Sequence, residues 1–331
     1  MGDLLNNHTL DFEKPVRDLE YQIEELKLAS NRPGIDISRE IKALEKKVNY
    51  LTKEIYGKLT SWEKVQLARH PNRPHSIYYI RQLIENFKEI SGDRYFANDH
   101  AIIAGFGYLG EQKVAVVAIE KGQKTNEKIK HNFGMPRPEG YRKALRVMQM
   151  AGRFNIPIIT FIDTPGAYPG IGAEERGQSS AIAENLAAMF DIPVPILAVV
   201  VGEGGSGGAL GIGIADRVIM MEYSVYSVIS PESCASILWT DPKKAEFAAN
   251  SLQLEPTKAL ALQVIDKIIE EPAGGAHKEP VLAAQWVRKA IEKDLKLLKK
   301  LKLENLLAER FKKFREMGNQ TLLKSIDGTL N

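Results

Sequence analysis

Two glycine-rich turns, about forty residues apart, constrain this chain more than any other feature of its sequence. The first ends the apolar run in Phe161–Gly170 (FIDTPGAYPG), and the second begins Gly202–Gly213 (GEGGSGGALGIG) and opens a predicted short helix, Ser206–Ala215. Glycine allows the backbone to approach a ligand, and the first N–H groups of a helix have no intrahelical partner. Two such N–H groups aimed at one oxygen form an oxyanion hole. The pattern therefore predicts a site built from backbone at the ends of two strands.

Apolar and helical segments alternate through the middle of the chain. Strand-like runs occur at Ile156–Ile162, Val194–Val201 and Arg217–Glu222, with helical spacing in Tyr141–Phe154 and Ala173–Phe190. The first two runs are almost entirely apolar, which is typical of strands covered on both faces. Repetition of strand, helix and strand predicts a mostly parallel, buried sheet surrounded by helices, that is, an α/β fold.

The segment before this alternation predicts a helix and a hairpin. Ile77–Ile90 has helical spacing and ends at a Ser-Gly pair. Two strand-like runs follow, Ala101–Tyr108 and Lys113–Ile119, and the short turn that starts at Leu109 joins them. Such a spacing predicts a β-hairpin.

The first sixty residues predict a helical hairpin. The sequence Asn31-Arg32-Pro33-Gly34 is a turn between two apolar stripes. The stripes step by three and four residues, as in a coiled-coil seam, at Phe12, Val16, Leu19, Ile23 and Leu26, and at Ile37, Ile41, Leu44, Val48, Leu51 and Ile55. Such a seam serves equally for packing on the chain's own body and for a subunit contact. We predict a hairpin extension over residues 1–60 and one folded domain over residues 61–331.

The end of the chain, from about Pro280 to Phe314, predicts basic helices. Between Arg288 and Arg315 basic residues exceed acidic ones by seven. A nucleic-acid surface is one interpretation, but interleaved leucines favour a solvated amphipathic helix. The predicted apolar side is formed by Trp286, Leu297, Leu301 and Leu306.

Charge and cysteine content exclude several classes of protein. The 45 Lys and Arg residues nearly balance the 42 Asp and Glu residues, which argues against a strongly charged partner as the main function. The lone Cys234 excludes a disulfide framework and a cysteine metal cluster, and its apolar surroundings favour a buried thiol. The six histidines show no ligand spacing, and His277 is predicted to be structural, so we expect no metal in this chain. No apolar run has membrane-spanning length and the polar start is no signal peptide, so we expect a cytoplasmic protein without membrane contact.

Several ungapped motifs occur in the order found in a known family. Besides FIDTPGAYPG, they are LDFEKP at Leu10–Pro15, NFGMPRPEGYRKALR at Asn132–Arg146, GAEERGQS at Gly172–Ser179, GEGGSGGAL at Gly202–Leu210, YSVISPE at Tyr226–Glu232 and EPAGGAHK at Glu271–Lys278. Through these motifs nearly the whole chain resembles the alpha subunit of the bacterial acetyl-CoA carboxylase carboxyltransferase. The resemblance implies a crotonase-like (ClpP/crotonase) fold. It also implies a transferase that moves carboxylate from carboxybiotin to acetyl-CoA, giving malonyl-CoA for fatty acid biosynthesis.

The resemblance also implies which residues form the site. In the family, the glycine pair of the SGGAL segment donates the oxyanion hole, which here falls on Gly207 and Gly208. Their N–H groups are expected to stabilise negative charge on the ureido oxygen of biotin. The predicted substrate-binding positions around them are Gly166, Tyr168, Gly170, Gly204 and Gly205.

The same resemblance implies partners. The enolate of acetyl-CoA needs a second oxyanion hole, which the family places in a beta subunit that also carries a zinc ribbon. Biotin resides on the biotin carboxyl carrier protein, which biotin carboxylase loads. The implied assembly is an α2β2 heterotetramer, and this chain alone, with one hole, is expected to be inactive.

Other interpretations remain open at the level of sequence. A G-x-G-x-x-G pattern starts at Gly202, and Glu222 lies where a dinucleotide site holds a ribose, although two hundred residues precede the pattern. An enoyl-CoA hydratase or isomerase of the same fold would need Glu203 and Glu232 as acid–base groups, and neither forms a convincing pair. A further interpretation, a coiled-coil or RNA-binding scaffold, depends on the apolar stripes and the basic helices at the two ends of the chain. The bases in Lys121–Arg146 either steer anionic substrates or form a solvated face.

Overall fold

In this computed structural model, residues 8–30 and 37–318 are described, and the predicted turn Asn31-Arg32-Pro33-Gly34 lies outside them. The described chain forms one sheet whose strands are β1 (Glu85–Glu89), β2 (Ile102–Leu109), β3 (Gln112–Ile119), β4 (Ile158–Thr164), β5 (Ile196–Gly205), β6 (Arg217–Met221), β7 (Val225–Ser227) and β8 (Lys267–Ile269). The strands are ordered β1-β2-β3-β4-β5-β6-β8, and β7 pairs with the end of β5. From β3 onward, neighbouring strands are parallel, as predicted.

Helices surround this sheet on both faces. In chain order they are α1 (Lys14–Ser30), α2 (Ser38–Tyr56), α3 (Ser61–Ala68), α4 (Ser76–Leu83), α5 (Thr125–Lys130), α6 (Pro138–Arg153), α7 (Ile171–Glu175), α8 (Gln178–Asp191), α9 (Ser206–Leu210), α10 (Pro231–Trp239), α11 (Ala245–Leu252), α12 (Pro256–Ala261), α13 (Pro280–Leu298) and α14 (Leu303–Glu316). Three short 3-10 turns lie at Asp11–Glu13, Asn132–Gly134 and Pro242–Lys244.

The two faces of the central strands belong to two separate apolar cores. Phe161 and Val199 point into a core that α4 and α13 cover, whereas Ile162 and Val200 point into a core that α6 and α8 cover. Every residue of β4 is buried. Burial on both faces explains why these strands read as continuous apolar runs.

The structure corrects the prediction of one helix over Ile77–Ile90. Helix α4 ends at Leu83, and β1 pairs antiparallel with β2 at the edge of the sheet. Asn86 has a φ of +52°, a left-handed conformation that interrupts a right-handed helix. Backbone pairing with β2, which the local pattern does not show, determines the strand. The predicted hairpin of β2 and β3 is confirmed.

The second glycine-rich segment begins within a strand, although its composition predicts a turn. Strand β5 continues through Gly205, with Gly204 paired to Thr164 of β4 and to Tyr226 of β7. A Cβ on Gly204 would lie 2.6 Å from Cδ2 of Tyr226, so glycine serves here for close packing of a strand. The helix that follows, α9, has only five residues.

The two N-terminal helices are present and pack on each other along the predicted seam. Val16, Leu19 and Ile23 of α1 are buried, whereas the seam positions of α2 are only half-buried. At the base of the hairpin, the Tyr56 ring packs edge-on against Tyr223 of the body, with ring centroids 5.5 Å apart. The hairpin therefore contacts its own body at its base, and a subunit contact along α2 stays a prediction.

At the other end of the chain, α13 and α14 form the predicted helices, and most of the predicted apolar side is confirmed: Leu306 is buried, and Trp286 and Leu301 pack against the core. Leu297 is 49% exposed, because α13 turns its alanine-rich face with Val287 and Ile291 toward the core. Arg310 of α14 is buried instead of solvated. Cys234 is buried, as expected. Within the described ranges, no helix combines the length and apolar character needed to cross a bilayer.

Candidate active site

The two glycine-bearing segments meet at one edge of the sheet. β4 and β5 are parallel neighbours, so the chain leaves both strands on the same side. A Cβ on Gly205 would lie 2.5 Å from the carbonyl carbon of Pro165, and one on Gly208 would lie 2.5 Å from that of Gly166. The glycine run thus rests directly on the backbone of the loop after β4.

Gly207 has different surroundings. A Cβ at this position would meet no described atom within 4 Å. Gly207 and Gly208 lie in the first turn of α9, where N–H groups have no intrahelical acceptor. The turn therefore combines donors with open space on one side and tight packing on the other, which an oxyanion site requires.

Ser206 is a feature of the turn that sequence reasoning missed. It is exposed and has a φ of +56°, a left-handed conformation that costs a non-glycine residue of the order of 1–3 kcal/mol. The signal was present, since Gly204 to Gly208 reads G-x-S-x-G, the pattern of a sharp strand-to-helix turn. This strained residue sets the direction in which the chain enters α9.

The other predicted positions lie along the loop after β4. Gly166 has a φ of +152°, and a Cβ on it would stand 3.8 Å from Cβ of Ser206. The Tyr168 ring packs over Gly170 and lies 4.8 Å from the guanidinium carbon of Arg137. The loop therefore brings Gly166 beside the turn, whereas Gly170 supports the Tyr168 ring. Contact of these residues with a substrate stays a prediction.

A buried charge cluster beneath the turn was also missed. The Asp163 carboxylate accepts a hydrogen bond from the Glu203 backbone N–H (3.0 Å) and pairs with Lys121 Nζ (2.8 Å) and His75 Nδ1 (2.7 Å). Lys121 Nζ also pairs with the Glu203 carboxylate. Residues far apart in sequence make these contacts, so no local pattern announces them.

The charges of the cluster reinforce one another. Burial alone would raise the pKa of Asp163, but Lys121 and His75 outweigh it and hold that pKa below its usual range. Glu203 behaves alike, because Lys121 and Arg69 overcome the effect of burial and lower its pKa. In return, the two carboxylates raise the pKa of Lys121 against its burial. All three groups are therefore ionised at neutral pH.

This electrostatic environment argues against the hydratase interpretation. Glu203 and Glu232 do come together, but on the same guanidinium, with Arg69 Nε 2.6 Å from Glu203 and Arg69 Nη1 2.5 Å from Glu232. A general acid or base at neutral pH needs a pKa near 7. The lowered pKa of Glu203 makes it a poor proton donor.

The dinucleotide interpretation also loses its basis. The first two glycines of the G-x-G-x-x-G pattern lie inside β5 rather than in a phosphate-binding loop. The Glu222 carboxylate accepts a hydrogen bond from the Glu271 backbone N–H (2.9 Å). The residue assigned to a ribose is therefore used within the protein.

The basic stretch Lys121–Arg146 divides between internal and exposed roles. Lys121 lies in the buried cluster, Arg142 Nε bonds Asp93 (2.9 Å), and the Lys143 ammonium bonds the Asp99 carbonyl (2.7 Å). Others, such as Lys124 and Lys130, are exposed. The stretch is thus neither one solvated face nor one anion-steering surface.

Glu13, His70 and His277 place a carboxylate and two imidazoles within 4.8 Å of one another. Such a group invites comparison with a metal site. However, His70 Nδ1 accepts the Asn72 backbone N–H and His70 Nε2 donates to the His8 carbonyl, an assignment made from these partners. With both ring nitrogens of His70 engaged, this trio does not fit a metal ion.

Comparison with known proteins agrees with the motifs. Residues 9–318 match the family described as acetyl co-enzyme A carboxylase carboxyltransferase-like. The chain is 51% identical to the acetyl-coenzyme A carboxylase carboxyl transferase subunit alpha of Pseudomonas fluorescens, over 95% of this chain and all of that protein. It is 49% identical to the same subunit of Xanthomonas oryzae, over 95% of this chain and 98% of that protein.

Solved structures agree on the fold. Transcarboxylase 12S superposes with a TM-score of 0.56 at 19% identity, over 70% of this chain and 43% of that one. A Pseudomonas malonate decarboxylase hetero-tetramer chain gives 0.51 at 14% identity, over 70% and 90%. These structural similarities establish only the crotonase-like fold, whereas the sequence matches establish the family. The chain belongs to the family of acetyl-CoA carboxylase carboxyltransferase alpha subunits.

Proposed function

We propose that this carboxyltransferase subunit binds the carboxybiotin end of the reaction, with Gly207 and Gly208 as its oxyanion hole. The observation that carries the proposal is the asymmetry of the turn: Gly208 is fixed against the loop after β4, while Gly207 borders open space. A bicyclic ureido group requires such a surface, with donors on one side and no Cβ in front of them.

The residues of the turn have separable roles in the proposed site. Carboxybiotin supplies the carboxylate that is transferred to acetyl-CoA. The N–H groups of Gly207 and Gly208 donate hydrogen bonds to the ureido oxygen and stabilise the negative charge that develops there, an effect typically worth about 3–4 kcal/mol per donor. Gly166 lets the loop after β4 lie close beside the glycine turn, and the Tyr168 ring lines one side of the proposed site.

The proposed site is half of an active site. A beta subunit with its own zinc ribbon would supply the hole for the thioester enolate, and the biotin carboxyl carrier protein would deliver the biotin that biotin carboxylase has carboxylated. An α2β2 heterotetramer in the cytoplasm is the assembly we infer. The support for this arrangement is the family of the chain and the glycine turn at the start of α9.

Reconstitution tests the proposal. The purified chain, incubated with carboxylated carrier protein and acetyl-CoA, is expected to form no malonyl-CoA until the beta subunit is added. The complex should then form malonyl-CoA at a rate proportional to its concentration. Full activity of the chain alone would overturn the divided site, and a reconstituted complex without activity would overturn the function.

A further inference from the structure

The buried cluster joins the ends of segments that are distant in the chain. Lys121 follows β3, Asp163 lies in β4, Glu203 lies in β5, Arg69 follows α3 and Glu232 lies in the first turn of α10. These contacts lie where β4 and β5 end and the glycine turn begins.

Lys121 lies at the centre of this cluster. Its side chain is 12% exposed, and its ammonium contacts one oxygen of Asp163 and one of Glu203. Asp163 in turn holds the Glu203 backbone N–H at 3.0 Å, and a Cβ on Gly202 would lie 2.5 Å from Asp163 Oδ1. The ammonium therefore fixes both the side chain and, through Asp163, the backbone of the residue that precedes the glycine turn.

We propose that Lys121 is a positioning residue for carboxyl transfer, which orients the N–H groups of Gly207 and Gly208 by holding Asp163 to Glu203. The proposal rests on the function proposed above. Three residues separate Glu203 from Gly207: strand pairing holds Gly204 and Gly205, and Ser206 is the first residue of α9, so a shift of Glu203 is carried into α9. Misplacing a catalytic group by about 1 Å costs up to ~10²-fold in rate.

Without the ammonium, two buried carboxylates would face each other. Like charges at this separation cannot both ionise easily, and burial raises carboxyl pKa values further. A proton would then take the place of the ammonium between Asp163 and Glu203. The other charged or titratable groups that face this pair are His75, Arg69, Glu232 (through Arg69), Arg73 and Tyr79.

The test is the pH profile of Lys121→Met in the complex with the beta subunit. At about pH 8 we expect kcat for malonyl-CoA formation to fall roughly 10–100-fold with KM for the carboxylated carrier little changed. As the pH is lowered to about 6, the variant should recover relative to wild type, because a proton bridges the carboxylates. Lys130→Met, which removes an exposed lysine, is the matched control and should follow wild type.

A second variant keeps the test decisive if Lys121→Met fails to fold. In Lys121→Met with Glu203→Gln, the amide removes the like charge, so the protein should fold and its profile should lose the recovery at low pH. A single variant with wild-type kcat, or with a reduced kcat whose pH profile parallels that of wild type, would overturn the positioning role. The wild-type complex is measured in the same assay. If it is active, the proposed function stands and only the positioning role of Lys121 fails.

Discussion

A Cβ on Gly208 would lie 2.5 Å from the carbonyl carbon of Gly166, closer than real Cβ atoms approach backbone, whereas a Cβ on Gly207 would meet no described atom within 4 Å. Two adjacent glycines of one turn therefore have different reasons to lack a side chain. At Gly208 the reason is packing between two loops. At Gly207 packing gives none, and the reason we propose is the accommodation of a ligand.

Replacing Gly207 by valine is expected to abolish transfer without unfolding the protein. The new side chain enters open space, so stability should be close to that of wild type, but it covers the donors of the proposed hole. Loss of one such donor costs about 10²–10³-fold in kcat. Malonyl-CoA formation by the complex and thermal unfolding of the chain measure the two effects separately.

Gly208→Ala is the matched comparison within the same turn. Its Cβ must displace the backbone of Gly166 or Ala167, so we expect lower stability, by about 1–3 kcal/mol as for other overpacked sites, together with loss of activity. A Gly207→Val complex that turns over within a few-fold of wild type would move the hole away from this turn.

Charging the seam of α2, by Leu44→Asp with Leu51→Asp, should disturb folding or assembly rather than chemistry. Truncating a fully buried leucine costs about 2–5 kcal/mol, and these two are half-buried in the single chain. A small loss of chain stability with a large loss of oligomer mass in sedimentation would identify α2 as a subunit contact. Lys46→Asp with Lys53→Asp, on the exposed side of α2, is the control. Unchanged assembly and stability would refute the seam.

The sequence predicts the parallel sheet and the meeting of the two glycine segments because both follow from local patterns. Continuous apolar runs identify β4 and β5, and parallel neighbours must leave the sheet at one edge. The strand β1 could not be predicted in this way. Glu85–Glu89 is exposed and polar, and only pairing with β2 makes it a strand.

The charges beneath the site were beyond sequence reasoning for a related reason. Lys121 reads as one base among many in a basic stretch, and Glu203 reads as an acid within a glycine run. Their pairing depends on the sheet order, which places the end of β3 near the ends of β4 and β5. An ion pair between residues that are far apart in the chain leaves no periodic pattern in the sequence.

Arg310→Met should destabilise the chain and leave the chemistry of the assembled enzyme unchanged. The guanidinium is buried, pairs with Asp216 at 2.8 Å and donates to the carbonyls of Met189, Ile192 and Val194. Removing one partner of a buried pair costs about 3–5 kcal/mol, because a charge remains without compensation. Urea unfolding measures the loss, and kcat of the fraction that remains folded should match wild type. A change below 1 kcal/mol, roughly the value of a surface pair, would refute the argument.

As the pH is lowered, two groups at the base of the hairpin should reduce stability in two overlapping pH windows. Burial and the neighbouring His277 ring lower the pKa of His70 from its ordinary value of 6.5 to about 4. Between these values the unfolded chain binds a proton that the folded chain does not, so stability is lost as pH falls from 6.5 toward 4. Against the opposing effect of burial, the His277 ring, with Nε2 3.3 Å from the carboxylate, and the hydrogen bond from the Tyr56 hydroxyl lower the pKa of Glu13 to about 2, and the contribution of Glu13 to stability disappears as the pH falls from 4.5 toward 2.

A His70→Asn variant isolates the upper window. The amide oxygen can still accept the Asn72 backbone N–H, but the side chain does not titrate, so the slope of unfolding free energy against pH between 4 and 6.5 should decrease. One proton accounts for a slope of at most about 1.4 kcal/mol per pH unit. Glu13→Gln should flatten the lower window and, because the Glu13 charge raises the pKa of His70, extend the upper window to lower pH. If urea unfolding at a series of pH values gives parallel curves for wild type and His70→Asn, the neutral, buried state of His70 is wrong, and the hairpin is held by other contacts.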